Sequence, residues 1–356
     1  MFRIKFRIKF RVKFIQVLGL LAASTFLLTV SAIAGEPRGC VAQTQTDDGQ
    51  WWRETRSIMG TEIQVELWHE EKEEACAAIR AVMKEMNRID SLMSTYIESS
   101  ALSHLNNNAA TRSVWVGKEL FTLIETSLKF SELTEGAFDI TYASVGRFYD
   151  YREGRIPDDE TIARGIQAIN YRYIQMRARD YSISYKVDGV YIDLGGIAKG
   201  YAVDRGIEIL KGRGIKQGMV GAGGDSRIIG DRRGEPWVVG IRDPRNESEM
   251  IAVLPLMNVS VSTSGDYERF FEKEGVRYHH IIDPQTGDSA REVRSVTILG
   301  EQATRTDALS TSVFVMGVER GLKLINELQD VDAIIVDGDG QLHYSDSLLE
   351  LTASVH

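Results

Sequence analysis

From Gly218 onward the chain is a succession of short β-patterned runs separated by turns, and runs that adjoin in this way pair most readily as antiparallel neighbours. The runs are Gly218–Val220, Trp237–Ile241, Met250–Leu256, Ser260–Thr263, His279–Ile282 and Val293–Leu299. Ala333–Tyr344 reads as a hairpin turning at Asp337-Gly338-Asp339-Gly340. Two helices interrupt this series, over Thr306–Met316 and Glu319–Leu328. Strands outnumber helices and many are sequence neighbours. A mixed, largely antiparallel α/β (α+β) architecture therefore fits better than a doubly wound parallel sheet.

The first half carries most of the helices. Thr55–Trp68 alternates as a strand, with Met59-Gly60-Thr61 inside it. Glu71–Met93 puts Cys76, Ile79, Met86, Ile89 and Met93 on one stripe, which predicts an amphipathic helix. Thr95–Asn108 is rich in Ser and Asn and reads as an exposed loop. A second helix is expected over Lys118–Leu133, stopped by Gly136, and a short one from Asp158. Tyr181–Tyr185 and Val190–Leu194 read as strands of a hairpin through Asp188-Gly189, and Ile197–Lys211 as the third long helix.

The first 34 residues stand apart from the core. Arg3, Lys5, Arg7, Lys9, Arg11 and Lys13 form a basic start, followed by an apolar run from Phe14 to Ala34 that ends in Ala32-Ile33-Ala34. This is the pattern of an export signal cleaved before Gly35. The run is also long enough for an uncleaved anchor, at ~20 residues per membrane span. Pro37-Arg38-Gly39 ahead of Cys40 does not suit lipidation. Residues 35–50 read as a flexible leader and 51–356 as one folded domain. The whole chain has 42 Lys and Arg against 51 Asp and Glu, a net of −9, and losing the six basic residues of the start takes it to −15. Such a surface repels nucleic acid but admits a phosphorylated ligand through a metal ion. Export would permit a disulfide between Cys40 and Cys76, the only cysteines. With Cys40 in the leader, little weight rests on that bridge.

Several polar segments carry candidate chemistry. Tyr191 to Asp204 runs from a strand through Gly195-Gly196 into a helix, with Asp193 before the glycines and Lys199 just inside the helix. A helix start offers free N–H groups and partial positive charge to an anion. Asp307 and Thr311 lie four residues apart, hence on one helix face, and their hard oxygens suit Mg²⁺. An ordinary helix start, with Thr306 or Asp307 as cap and Thr311 bonded back to its own helix, explains the same pattern. His279 and His280 point to opposite faces of a strand, so only one serves a given site. His280 with Asp283 could bracket a phosphate or a hydroxyl that must lose its proton, or sit beside a plain turn. Gly221 to Asp225 permits close backbone approach but lacks the helix a dinucleotide fingerprint needs. Phe138 beside Asp139, and Tyr96 in the Ser-rich loop, offer rings and a carboxylate that simple packing would also explain.

Read in order, MGT, STY…SALSHLN, GAFDIT, DLGGIAKGYAVD, GGDSR, VGIRDP, VSTSGDY, HHIIDPQTG and TDALST resemble the ApbE family of FAD:protein FMN transferases, from about Met59 to Gly317. Departures are mild: Gly221 stands where Asn is common, Thr306 where Ala is common and Tyr149 where Trp is common. The resemblance implies a T-fold-like α+β domain with a flavin site in a central cleft. It implies Mg²⁺-dependent transfer of FMN from FAD to a threonine or serine hydroxyl, with release of AMP. By match, Asp307, the Thr311 hydroxyl and the Gly196 carbonyl would hold the metal. Met59, Tyr96, Ala137, Phe138, Asp139, Asp193, Lys199 and Ile282 would line the FAD pocket, and His280 would be the catalytic base with Asp283 orienting it. Two other readings share the motifs: a Mg²⁺-dependent pyrophosphatase giving FMN and AMP, and an exported protein that binds FAD intact. The implied acceptors are exported or membrane-bound flavoproteins, and the implied location is the periplasm or outer face of the membrane.

Overall fold

The computed structural model describes residues 39–46, 48–246 and 248–353. The chain opens with strands β1 (Val41–Thr46), β2 (Gly49–Ile58) and β3 (Thr61–His69) and helix α1 (Lys72–Met93). Then come α2 (Ala101–Asn108), β4 (Val114–Trp115), α3 (Gly117–Leu133), α4 (Ala143–Gly146), α5 (Asp159–Ile166), β5 (Ile174–Arg177), β6 (Ser182–Tyr185) and α6 (Ala198–Gly212). The second half holds β7 (Gly218–Ala222), β8 (Asp225–Ile229), β9 (Trp237–Arg242), β10 (Met250–Leu256), β11 (Ser260–Gly265), β12 (Phe270–Lys273), β13 (Val276–His279) and β14 (Val293–Gly300). It closes with α7 (Ala303–Glu327), β15 (Val331–Asp337), β16 (Leu342–Tyr344) and α8 (Asp346–Ala353).

Nine strands form one sheet in the order β1-β2-β3-β7-β8-β11-β14-β15-β16, and every pairing in it is antiparallel. The expected mixed, antiparallel architecture is what the chain adopts. Period-two alternation sends each strand's residues to opposite faces. Trp52 joins the core under α1 and α6, with Ile63, Val65, Ile79, Met86 and Val203. Its neighbour Trp51 faces the other way, onto Trp237, Leu254 and Leu256 of the β9–β10 hairpin. β14 is buried almost throughout because both its faces are covered: Val296 and Ile298 pack on α7, Leu299 on the hairpin side. Among the described residues no helix is long and apolar enough to cross a membrane; the apolar run 14–34 lies outside them.

Local differences from expectation have definite causes. The leader expected over 35–50 is short: β1 pairs with β2, and a Cys40–Cys76 disulfide ties it to α1. Thr55–Trp68 is not one strand, since Met59 (φ 56°) and Gly60 (φ 68°) make the two-residue turn that joins β2 to β3. The Ser- and Asn-rich loop contains α2, started by Ser100, whose hydroxyl accepts from Ser103 N. β6 pairs with β4 and β5, so Val190–Leu194 remains extended without a strand partner. β13 ends at His279, and Ile282 makes only an isolated bridge with Ser289. The two expected C-terminal helices form one element interrupted at Gly317, whose φ of 78° and ψ of −174° are not helical.

Candidate active site at the meeting of two helix starts

The extended segment ahead of α6 is held by side chains instead of a strand. Asn106 of α2 donates to Ile192 O and accepts from Ile192 N, each at 2.9 Å. Asp193 then gathers the loop: its carboxylate accepts from Gly195 N at 2.7 Å, Thr95 Oγ1 at 2.8 Å and Tyr142 Oη at 3.1 Å. Tyr96, next to Thr95, is left 87 % exposed. At Gly196 a Cβ would come within 3.1 Å of Thr311 Oγ1 and 3.2 Å of the Phe138 ring. The glycine thus lets the loop lie against α7.

α6 and α7 cap one another. Asp307, from α7, accepts from Gly200 N of α6 at 2.9 Å. Asp204, from α6, accepts from Ala303 N at 3.0 Å, Thr304 N at 2.8 Å and Thr304 Oγ1 at 2.6 Å at the start of α7. Neither helix has a side-chain cap of its own, so each N-terminus takes a carboxylate from its partner. Asp307 is accordingly not the cap of its own helix; the N-cap position is Gln302. The helix start expected to receive an anion already holds the Asp307 carboxylate at one amide.

Lys199 sits between two buried acids. Its Nζ is 2.8 Å from Asp225 and 3.4 Å from Asp307, each residue only 2 % exposed, while the lysine side chain is 28 % exposed. Burial raises the Asp307 pKa, the neighbouring Asp225 charge raises it further, and Lys199 works against both. Burial opposes the lysine's charge, but the two carboxylates outweigh it and lift its pKa above the ordinary value. Thr311 Oγ1 lies 3.4 Å from Ser264 Oγ of β11; it is Ser310 that bonds back to the helix, at Asp307 O. Asp307 and Thr311 thus share one face of α7, and Gly196 lies against Thr311 across the junction. Their hard oxygens, few in number, can hold Mg²⁺ with water and phosphate completing its shell. Among the described residues no three His, Cys, Asp or Glu side chains form a fuller cage.

The two histidines part as expected. His279 is core: its Nε2 lies 2.6 Å from Ala290 O and its ring packs edge-on against Phe314. The ring of His280 has its Nδ1 buried and without a partner. Burial, with the charges of Arg269, His279 and Lys199, lowers its pKa to about 3, so the ring is neutral near pH 7. One assignment finds no support: the Asp283 carboxylate closes its own turn on Gln285 N at 2.8 Å, and among the described residues no hydrogen bond joins it to His280. The Asp139 carboxylate accepts from Thr141 N, Thr141 Oγ1 and Tyr171 N. Ile282 is buried with Val145 and Tyr149, Ala137 is buried beside Phe138, and Met59 lies on the β2–β3 turn. Asp225, Asp204, Asn106, Tyr142 and Ser264 were given no individual role from sequence, and each makes its contact with a residue distant along the chain.

The ApbE family sequence profile matches residues 59–335, which contain all of these groups. The chain belongs to the ApbE family. A relative from Treponema pallidum (strain Nichols), named FAD:protein FMN transferase, is 31 % identical over 312 residues, covering 82 % of this chain and 86 % of that protein. One from Vibrio cholerae with the same name is 33 % identical over 272 residues, covering 74 % and 80 %. The crystal structure of the ApbE protein from Thermotoga maritima superposes with a TM-score of 0.78 at 35 % identity, over 85 % of this chain and 99 % of that one. The flavin transferase ApbE from Vibrio cholerae gives 0.75 at 27 % identity over the same shares. The ApbE fold thus accounts for the sheet and for the α6–α7 junction that builds the site.

Proposed function

We propose that this chain is an FAD:protein FMN transferase, Mg²⁺-dependent, acting on a threonine or serine hydroxyl of an exported acceptor flavoprotein and releasing AMP. The observation that carries this reading is the meeting of Asp307, Thr311 and Gly196 beside Lys199 at the start of α6, in a chain whose relatives bear that enzyme's name. Bound there, Mg²⁺ would neutralise charge developing on the pyrophosphate. Lys199 supplies a second, fixed positive charge. In this reading Tyr96 and the segment after Phe138 line the flavin pocket; Asp193 joins their loops through Thr95 and Tyr142. His280, neutral with one unpartnered nitrogen, takes the hydroxyl proton as the acceptor oxygen bonds to the FMN phosphorus and the bond to AMP breaks. General-base help of this kind contributes about 100- to 10,000-fold. The Cys40–Cys76 disulfide and the export-like start support an oxidising compartment outside the cytoplasm.

Incubating the protein with FAD, Mg²⁺ and a threonine-bearing acceptor peptide tests the reading. Fluorescent peptide is expected. Free FMN without labelled peptide would make the chain a pyrophosphatase, and unchanged FAD would make it a binding protein.

A further inference from the structure

Arg269 lies between β11 and β12. Its Nη2 reaches Gly60 O at only 3.4 Å, and the same atom lies 3.0 Å from where a Gly60 Cβ would be. The guanidinium is thus laid over the Met59–Gly60 turn. Its backbone carbonyl accepts from His280 N at 3.1 Å, which holds the two backbones together. Neighbouring arginines are neutralised: Arg245 is bidentate to Asp266 at 2.8 and 2.6 Å, and Arg277 pairs with Glu272 at 2.9 Å. Among the described residues no carboxylate pairs with Arg269, and one long bond to a carbonyl leaves most of its five N–H donors unused. Arg269 and Lys199 both act on the ring of His280, whose Nδ1 has no partner. An exposed guanidinium without a counter-ion, lying over the Met59–Gly60 turn on a residue bonded to His280, is free to take an anion.

We infer that Arg269 is a further substrate-binding residue whose guanidinium takes a phosphate oxygen of the FAD pyrophosphate. The inference rests on the transferase reading for the identity of the ligand. Gly60 fits this role, since any side chain there would occupy the space of the guanidinium.

Equilibrium titration of FAD, followed by quenching of flavin fluorescence in EDTA without acceptor peptide, tests it on the full-length protein. Arg269→Met keeps the stem and its cover over Gly60 but removes the charge; Arg269→Lys keeps the charge. The expected result is about a tenfold or greater loss of FAD affinity for Arg269→Met, with Arg269→Lys within about threefold of the parent and both variants melting with it. Arg269→Met binding FAD as tightly as the parent would overturn the inference. So would an equal loss in both variants, which would mark a packing role. A parent protein that binds no FAD either in EDTA or with Mg²⁺ restored would instead overturn the transferase reading itself, so the two failures are distinguishable.

Discussion

Asp307 is asked to cap α6 and to bind a cation, and its burial makes the second task depend on pH. A carboxyl whose pKa is raised must shed its proton before it can coordinate Mg²⁺. The Mg²⁺ concentration giving half-maximal activity should therefore fall as pH rises from the ordinary carboxylate range through the raised one, and then level off. Metal-free protein should show the opposite trend in stability. In that window the native carboxyl binds more protons than the unfolded one, so stability declines as pH rises, and thermal melts with and without Mg²⁺ would diverge. Asp307→Asn can still accept from Gly200 N, so it should fold normally while losing two to three orders of magnitude, roughly, of transfer rate. His280 invites a second substitution. Loss of the base in His280→Gln should lower turnover by about 100- to 10,000-fold while FAD affinity stays within a few-fold. Unchanged turnover at saturating FAD with weakened binding would reduce His280 to a ligand contact.

The α6–α7 junction turns these residues into a site, and it tolerates little. A Cβ at Gly200 would meet Asp307 Cβ at 2.7 Å and press on the Ala303 carbonyl. Gly200→Ala should cost about 1–3 kcal/mol as the helices separate, and should weaken Mg²⁺ binding in the same titration. Asp204→Ala removes the acceptor for the first amides of α7 and leaves Arg227, 2.5 Å from that carboxylate, without its partner. A loss of about 1–2 kcal/mol is expected from the cap alone. The metal and lysine candidates came from compact motifs matched to a family, since the Asp307–Thr311 spacing alone reads as well as a plain helix start. Asp225 and Asn106 were not legible, for their partners lie on elements distant in sequence: Asp225 reaches Lys199 from β8, and Asn106 reaches Ile192 from α2. Asp283 shows the converse: an acid at a turn looks free in sequence, yet its carboxylate accepts a local backbone N–H.

Across the whole molecule, helices with one apolar stripe were readable: α1, α3 and α6 lie within a few residues of their expected bounds. The sheet order was not, because β3 joins β7 and β8 joins β11 across long stretches of chain that no local pattern encodes. The N-terminal tie was likewise hidden, since nothing near Cys40 in sequence reports its approach to α1. That tie closes a loop of 36 residues, worth up to about 4 kcal/mol in the chain-entropy account. β1 is an edge strand paired only with β2, so Cys76→Ala should lower the melting temperature and expose residues near 40 to proteolysis while leaving transfer intact. The sheet's purpose in this account is to bring β8 and β11 beneath the junction, so that Asp225 and Ser264 meet α6 and α7. Anomalous diffraction from crystals grown with Mn²⁺ and FAD tests that most directly. One peak is expected within coordination distance of an Asp307 carboxylate oxygen, Thr311 Oγ1 and the Gly196 carbonyl; a bound flavin nucleotide with the cation elsewhere, or with none near Asp307, would rule that metal site out.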